Sequence, residues 1–174
     1  MLYSDQEFKD DHTPLAFLIS FRCFGTWLHG DSRGSVDRFH NVYGTPKLGR
    51  EPARVRYERT LMTQPPVRLN AKRRAAAEQG VKDACKKRGW QLWVVNARTN
   101  HVQSVVTANC SSKKVLTALK AYATKAMRET GCWQSKESPW SYRGSRRRLF
   151  TERSLVAAID YVQYDQGPPL PNDD

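Results

Sequence analysis

The sequence predicts one α+β domain. Trp90–Ala108, WQLWVVNARTNHVQSVVTA, reads as strand, tight turn and strand. Three other stretches each follow a capping residue and read as helices, two of them carrying apolar stripes at helical spacing. The chain has 174 residues without internal repeats, enough for a single domain with a substantial core.

Residues 1–13 form a lead-in. MLYSDQEFKDDH is polar and acid-rich, unlike a secretory signal or transit peptide. Pro14 closes it, and the domain proper spans 14–167. Leu15–Phe24, LAFLISFRCF, is a short apolar run of aromatic and branched residues, hence a strand buried on at least one face. Gly25 breaks it and opens a compact loop, GTWLHGD, that carries Trp27 and His29. His29 suits either a backbone partner within the loop or a contact to nucleic acid. Residues 30–69 read as a long basic insertion without sustained periodicity. Its arginines (Arg50, Arg54, Arg56, Arg59, Arg68) are singly ordinary surface charges, but together they suit phosphate contact.

Asn70 caps a helix that runs to about Lys87 and stops at Arg88-Gly89. Trp90–Asn96 is the next strand. Arg98, Thr99 and Asn100 supply turn chemistry, and the short link predicts an antiparallel hairpin. From His101 the chain is rich in β-branched residues. Side chains two apart on a strand share a face, so His101 and Gln103 point the same way and Val102 points oppositely. An imidazole nitrogen beside an amide oxygen can hold a divalent cation. Taken alone, such a tripeptide is more often ordinary polar surface.

Ser111 or Ser112 caps a helix over about Lys113–Thr130. Val115, Leu119, Tyr122 and Ala126 share its core face, with Lys113, Lys114, Lys120, Lys125 and Arg128 around the other side. Trp133, Trp140 and Tyr142 fall in a loop or short strand. Interleaved with Arg143, Arg146, Arg147 and Arg148, they suit base stacking with phosphate neutralisation. The alternative for each tryptophan is packing beneath the sheet. Thr151 caps the last helix, whose stripe is Leu155, Ala158, Ile159 and Val162. Gly167-Pro168-Pro169 ends it, leaving 168–174 as an acidic tail expected to be disordered. At helical spacing, Tyr161 and Asp165 share a flank beside that stripe, Gln166 turns back toward it and Tyr164 faces outward. From this helix alone they read as a boundary tyrosine and an aspartate in the last turn.

The net charge is +12 and the pI about 9.8, which favours a polyanionic partner, nucleic acid first. No long apolar span or lipidation signal points to a membrane. Four cysteines (Cys23, Cys85, Cys110, Cys132) lie without a C-x-x-C pair, against a zinc site or disulfide framework. They fit a reducing cytoplasm and small packed side chains.

Three separated segments resemble one family. WQLWVVNARTNHVQSVV is similar to the segment of single-tyrosine HUH transposases in which a hairpin leads into Asn-His-hydrophobic-His. GTWLHGD and SRRRLFTERSLVAAIDYVQYDQG resemble the REP-associated and insertion-sequence members, in the family order from Leu15 to Gly167. The resemblance implies an antiparallel, ferredoxin-like sheet with helices packed on it and a C-terminal helix carrying the tyrosine. It implies that His101, Gln103 and Asp165 hold Mg²⁺ or Mn²⁺, with Gln166 the alternative third ligand, and that Tyr161 attacks DNA. Gln103 stands where the family's second histidine is expected, and an amide oxygen is the weaker ligand for transition metals.

The expected function is therefore cleavage and rejoining of single-stranded or hairpin DNA through a 5′-phosphotyrosine. Trp27, His29, Lys120, Arg143, Arg146, Arg147 and Arg148 are the expected DNA contacts. A transposase-derived binding protein without catalysis is the competing class, and a basic RNA-binding or ribosome-associated domain a third. Monomer and homodimer both remain open.

Overall fold

The computed structural model describes residues 13–33 and 49–172. Most of the lead-in, residues 34–48 of the basic insertion and the last two residues lie outside that range.

The described chain runs β1 (Ala16–Cys23), α1 (Pro52–Thr60), α2 (Ala71–Arg88), β2 (Gln91–Ala97), β3 (His101–Thr107), α3 (Ser112–Glu129), β4 (Trp140–Leu149) and α4 (Glu152–Tyr164). The strands form one antiparallel sheet in the order β2-β3-β1-β4. With α2 and α3 as the crossovers, this is a split-βαβ arrangement. The protein is a small α+β domain.

Alternation along the strands divides the sheet into two faces. Phe17, Ile19, Phe21 and Cys23 of β1, with Val102 and Val106 of β3, point to the side covered by α2 and α3. There they meet Val81, Ala84, Val115, Leu119 and Met127, all fully buried. The two helices approach closely at Gly80, where a β-carbon would lie 2.6 Å from the Ala123 Cα. That is inside contact distance, so glycine's missing side chain permits the crossing. On the opposite face α4 packs Ala158 and Val162 on Ala16, Val105 and Leu149.

The caps follow the residue chemistry. The Asn70 side chain accepts from the Arg73 N–H, Ser111 from Lys114, and Thr151 with Ser154 closes a reciprocal capping box. Gly89 takes the left-handed conformation that ends α2, at φ 66°.

Several sequence expectations change. The insertion contains α1, begun by Pro52 at a position where a missing N–H costs nothing. Its residues are not buried, so periodicity carried no signal. The segment expected as loop or short strand is the ten-residue β4. Trp133 and Trp140 are core residues, and Trp140 meets Phe21 edge to face at 4.8 Å. Only Tyr142 of the three rings is open, at 94 % exposure. The tail is tied back as far as it is described: Arg98 donates to the Pro168 carbonyl at 2.9 Å, and Arg74 donates to that of Pro171.

Candidate active site between the sheet and the last helix

The α4 face of the sheet is only partly filled with apolar side chains. Beside the apolar patch lies a cavity of about 500 Å³. Ser20 and Arg22 come from β1, Gln103 from β3, Ser145 and Arg147 from β4, and Ser154 and Tyr161 from α4. Strand register explains the company. Ser20 pairs with Gln103 on one side and Ser145 on the other, and directly paired residues share a face. Leu18 pairs with Arg147, and Arg22 with His101, so those side chains belong to the same face.

Two ties hold α4 over this face. Asn96, paired with Gln103, donates from its amide to the Val162 carbonyl at 2.9 Å. Gln166 donates to the Tyr161 carbonyl at 3.1 Å while its Oε1 lies 3.1 Å from His101 Nε2. The helix ends at Tyr164 and Asp165 is its C-cap residue, with an exposed side chain. The chain therefore turns at Asp165 and delivers Gln166, not Asp165, to His101. Of the two candidates for third ligand, Gln166 is the one that meets His101 in this structure.

His101 is held between oxygens: Asn100 Oδ1 lies 2.7 Å from Nδ1. Burial pushes its imidazole below the usual histidine range. The bond to Gln166 opposes this, and Arg22 and Arg98 add to it. A neutral ring can donate through only one nitrogen. With the Nδ1 proton given to Asn100, Nε2 turns a lone pair toward the Gln166 oxygen. A cation between them, a second ring proton, or a half-turn of the Asn100 amide would each relieve that opposition. The Gln103 Oε1 is buried and accepts no hydrogen bond. Such an oxygen asks for a partner.

The His101–Gln166 separation of 3.1 Å is that of an ordinary hydrogen bond, and the side chains that meet here are neutral donors. The set consists of one imidazole and two amide oxygens. Among the described residues no group of three His, Cys, Asp or Glu side chains could hold a metal.

The other expected contacts separate. Tyr161 borders the cavity and is 42 % exposed. Arg147 enters the cavity, whereas Arg146 and Arg148 alternate to the opposite face of the sheet edge. Lys120 is committed within the fold. Its ammonium donates to the carbonyls of Ser141, Tyr142 and Arg143 at 2.7, 3.2 and 3.0 Å. β4 is out of register with β1 there, Phe21 pairing with Gly144 but Cys23 with Trp140. β4 is also an edge strand, and Lys120 serves carbonyls at this irregularity. Burial pushes its pKa down to about 8. The His29 backbone donates to Glu58 at 2.8 Å, and its Nδ1 is buried without a partner. Trp27 carries two guanidinium groups over its ring, Arg22 at 3.4 Å and Arg33 at 4.2 Å from the centroid.

Sequence reading passed over Arg22, Asn96 and the serines. Arg22 sits in an apolar strand and Asn96 at the end of another; only cross-strand pairing reveals their shared face. Comparison with family models gave no match, and comparison with curated proteins gave none.

Proposed function

We propose that the protein is a DNA strand transferase of the single-tyrosine HUH type, acting on single-stranded or hairpin DNA. The observation that carries the reading is Tyr161 and Gln103, from helix and strand, lining one cavity. His101 adjoins it through its pairing with Arg22 and meets Gln166 from beyond the helix.

His101, Gln103 and Gln166 would hold Mg²⁺ or Mn²⁺. When bound, such an ion polarises a phosphoryl oxygen and offsets charge developing at phosphorus. Tyr161 Oη attacks the phosphorus and loses its proton to solvent. The P–O3′ bond breaks, the departing 3′-oxygen takes a proton, and the 5′-phosphate remains on the tyrosine. Attack by another 3′-hydroxyl reverses these steps and joins the new strand. Arg22 and Arg147, the positive side chains of the cavity lining, would neutralise the phosphate. The exposed Tyr142 ring beside Arg143 suits a splayed base.

The weaker donor set favours one alternative, a binding protein of the same descent without catalysis. The test is covalent adduct with labelled hairpin DNA and Mn²⁺ on a denaturing gel. Wild-type protein should form adduct and Tyr161→Phe should not, while both bind the DNA. Binding without adduct under any divalent metal would favour the alternative, and adduct from the variant would assign another nucleophile, Tyr164 first. Preference for RNA over DNA would point to the third class.

A further inference from the structure

We infer that the cavity is a subsite for a single phosphodiester, with Arg22 and Arg147 as its cations and Trp27 as the residue that positions Arg22. The inference deepens the transferase reading, from which it takes the identity of the strand.

The lining is suited to an anion. Two guanidinium groups share it with the hydroxyls of Ser20 and Ser145, the Ser154 hydroxyl being used in the α4 cap, and among the described residues no carboxylate lines it. Arg22 and Arg147 stand on neighbouring strands. Guanidinium groups donate in a planar fork that matches two phosphate oxygens. Neither is spent elsewhere: among the described residues no acceptor takes a hydrogen bond or ion pair from Arg22 or Arg147. Asp31, whose charge acts on Arg22, is itself taken by Arg33, through bonds of 2.7 Å from both Nε and Nη2. That pairing holds the Asp31 carboxyl well below the usual carboxylate range.

Arg22 is held by stacking. Its guanidinium carbon lies 3.4 Å from the centre of the Trp27 ring, which leaves the N–H edges of the group open for hydrogen bonds. Trp27 belongs to the loop after β1, and Arg33 of the same loop donates to the Thr26 carbonyl at 2.8 Å. The loop thus braces the ring, and the ring sets the plane of Arg22. A stacked guanidinium loses less freedom on meeting phosphate than a loose one. GTWLHGD acquires a task through this contact: it aims an arginine rather than stacking a base.

The probe is thymidylyl-thymidine, which carries one phosphodiester, compared with its uncharged methylphosphonate counterpart. Binding is followed by NMR through the arginine Nε–H and tryptophan indole signals. The phosphodiester should shift Arg22, Arg147 and Trp27 signals, and the neutral analogue should not. Arg22→Ala should weaken phosphodiester binding about tenfold, the scale of one charge-assisted contact, without changing the neutral analogue. Arg22→Lys should fall between, because it retains charge but loses the planar stack. Trp27→Phe keeps an aromatic face and should lose less than Trp27→Leu; if the leucine variant fails to fold, the phenylalanine variant still reports. Equal binding of the charged and neutral probes, or an Arg22→Ala variant indistinguishable from wild type, would overturn the inference. No chemistry is needed for this binding. Wild-type protein that forms no adduct yet shows Arg22-dependent binding sinks the transferase reading and keeps the subsite. Tyr161-dependent adduct without Arg22-dependent binding does the reverse.

Discussion

The two faces of the sheet are built from the same strands and do opposite work. Toward α2 and α3, alternate residues of β1 and β3 are mostly aromatic or branched, and Ser104, paired with Ile19, is the polar exception, its buried hydroxyl without a partner. Toward α4, their immediate neighbours are Ser20, Arg22, His101 and Gln103. There the apolar patch is confined to one end, around Ala16, Val105 and Leu149. One side is closed by two long helices and the other by a single thirteen-residue helix. Stability can thus be concentrated on one face, leaving the other to keep polar groups under-satisfied, as a site requires.

The sharpest way to break this division is to substitute adjacent residues of β1. Phe21 is fully buried against Trp140. Phe21→Ala should cost about 3–5 kcal/mol in denaturant unfolding. Ser20→Ala, one residue away on the cavity face, should change stability by no more than about 0.5 kcal/mol, while weakening the phosphodiester probe. Comparable losses of stability would mean that the two faces share one core.

Lys120 tests how the α3 side supports β4. Lys120→Met leaves the carbonyls of residues 141–143 without their donor and should cost about 1–3 kcal/mol. The pH dependence has a definite sign. A folded pKa of about 8 lies below the ordinary value of 10.5, so the unfolded chain holds more protons between them. This lysine's contribution to stability therefore rises with pH from about 8 to 10.5. Urea midpoints across that range should rise more steeply for wild type than for the variant. Parallel curves would remove the burial argument for Lys120.

These contrasts also mark what the sequence made legible. Caps, the hairpin and the shared face of His101 and Gln103 depend on neighbours along the chain, so local chemistry reveals them. Tyr161 was placed beside the apolar stripe by helical spacing, and it borders the cavity. Helical spacing puts Asp165 on the flank of Tyr161, but the helix ends at Tyr164 and Asp165 is its C-cap residue, which spacing alone does not reveal. Arg22, Asn96 and Lys120 acquire meaning only through pairing partners far along the chain. A strand irregularity has no periodic signature, and an unburied helix such as α1 has no apolar stripe.

Asn96 sharpens the comparison at smaller scale. It joins the sheet to the last turn of α4 through the Val162 carbonyl. Asn96→Ala should cost about 1 kcal/mol. Faster amide exchange should appear in the last turn of α4 and in Gln166, with α2 and α3 unaffected. Uniform acceleration through the molecule would show that α4 is not a separable element.

The smallest expected effect separates three consecutive arginines. Arg146, Arg147 and Arg148 pair with Ile19, Leu18 and Phe17, so alternation sends Arg147 to the cavity face and its neighbours to the other. All three can release counterions on binding single-stranded DNA. Each single alanine variant should flatten the plot of log affinity against log salt by about 0.7, and the triple variant by roughly the sum. Adduct yield should distinguish them. Arg147→Ala should lower it even where binding is saturated, because its side chain lines the same cavity as Tyr161. Arg146→Ala and Arg148→Ala should leave saturated yield unchanged, because the sheet stands between them and Tyr161. Equal yields from all three variants would make the run a single electrostatic track and remove Arg147 from the site. An unchanged salt slope in the triple variant would show that the run is solvated surface and that the strand enters the cavity by another side.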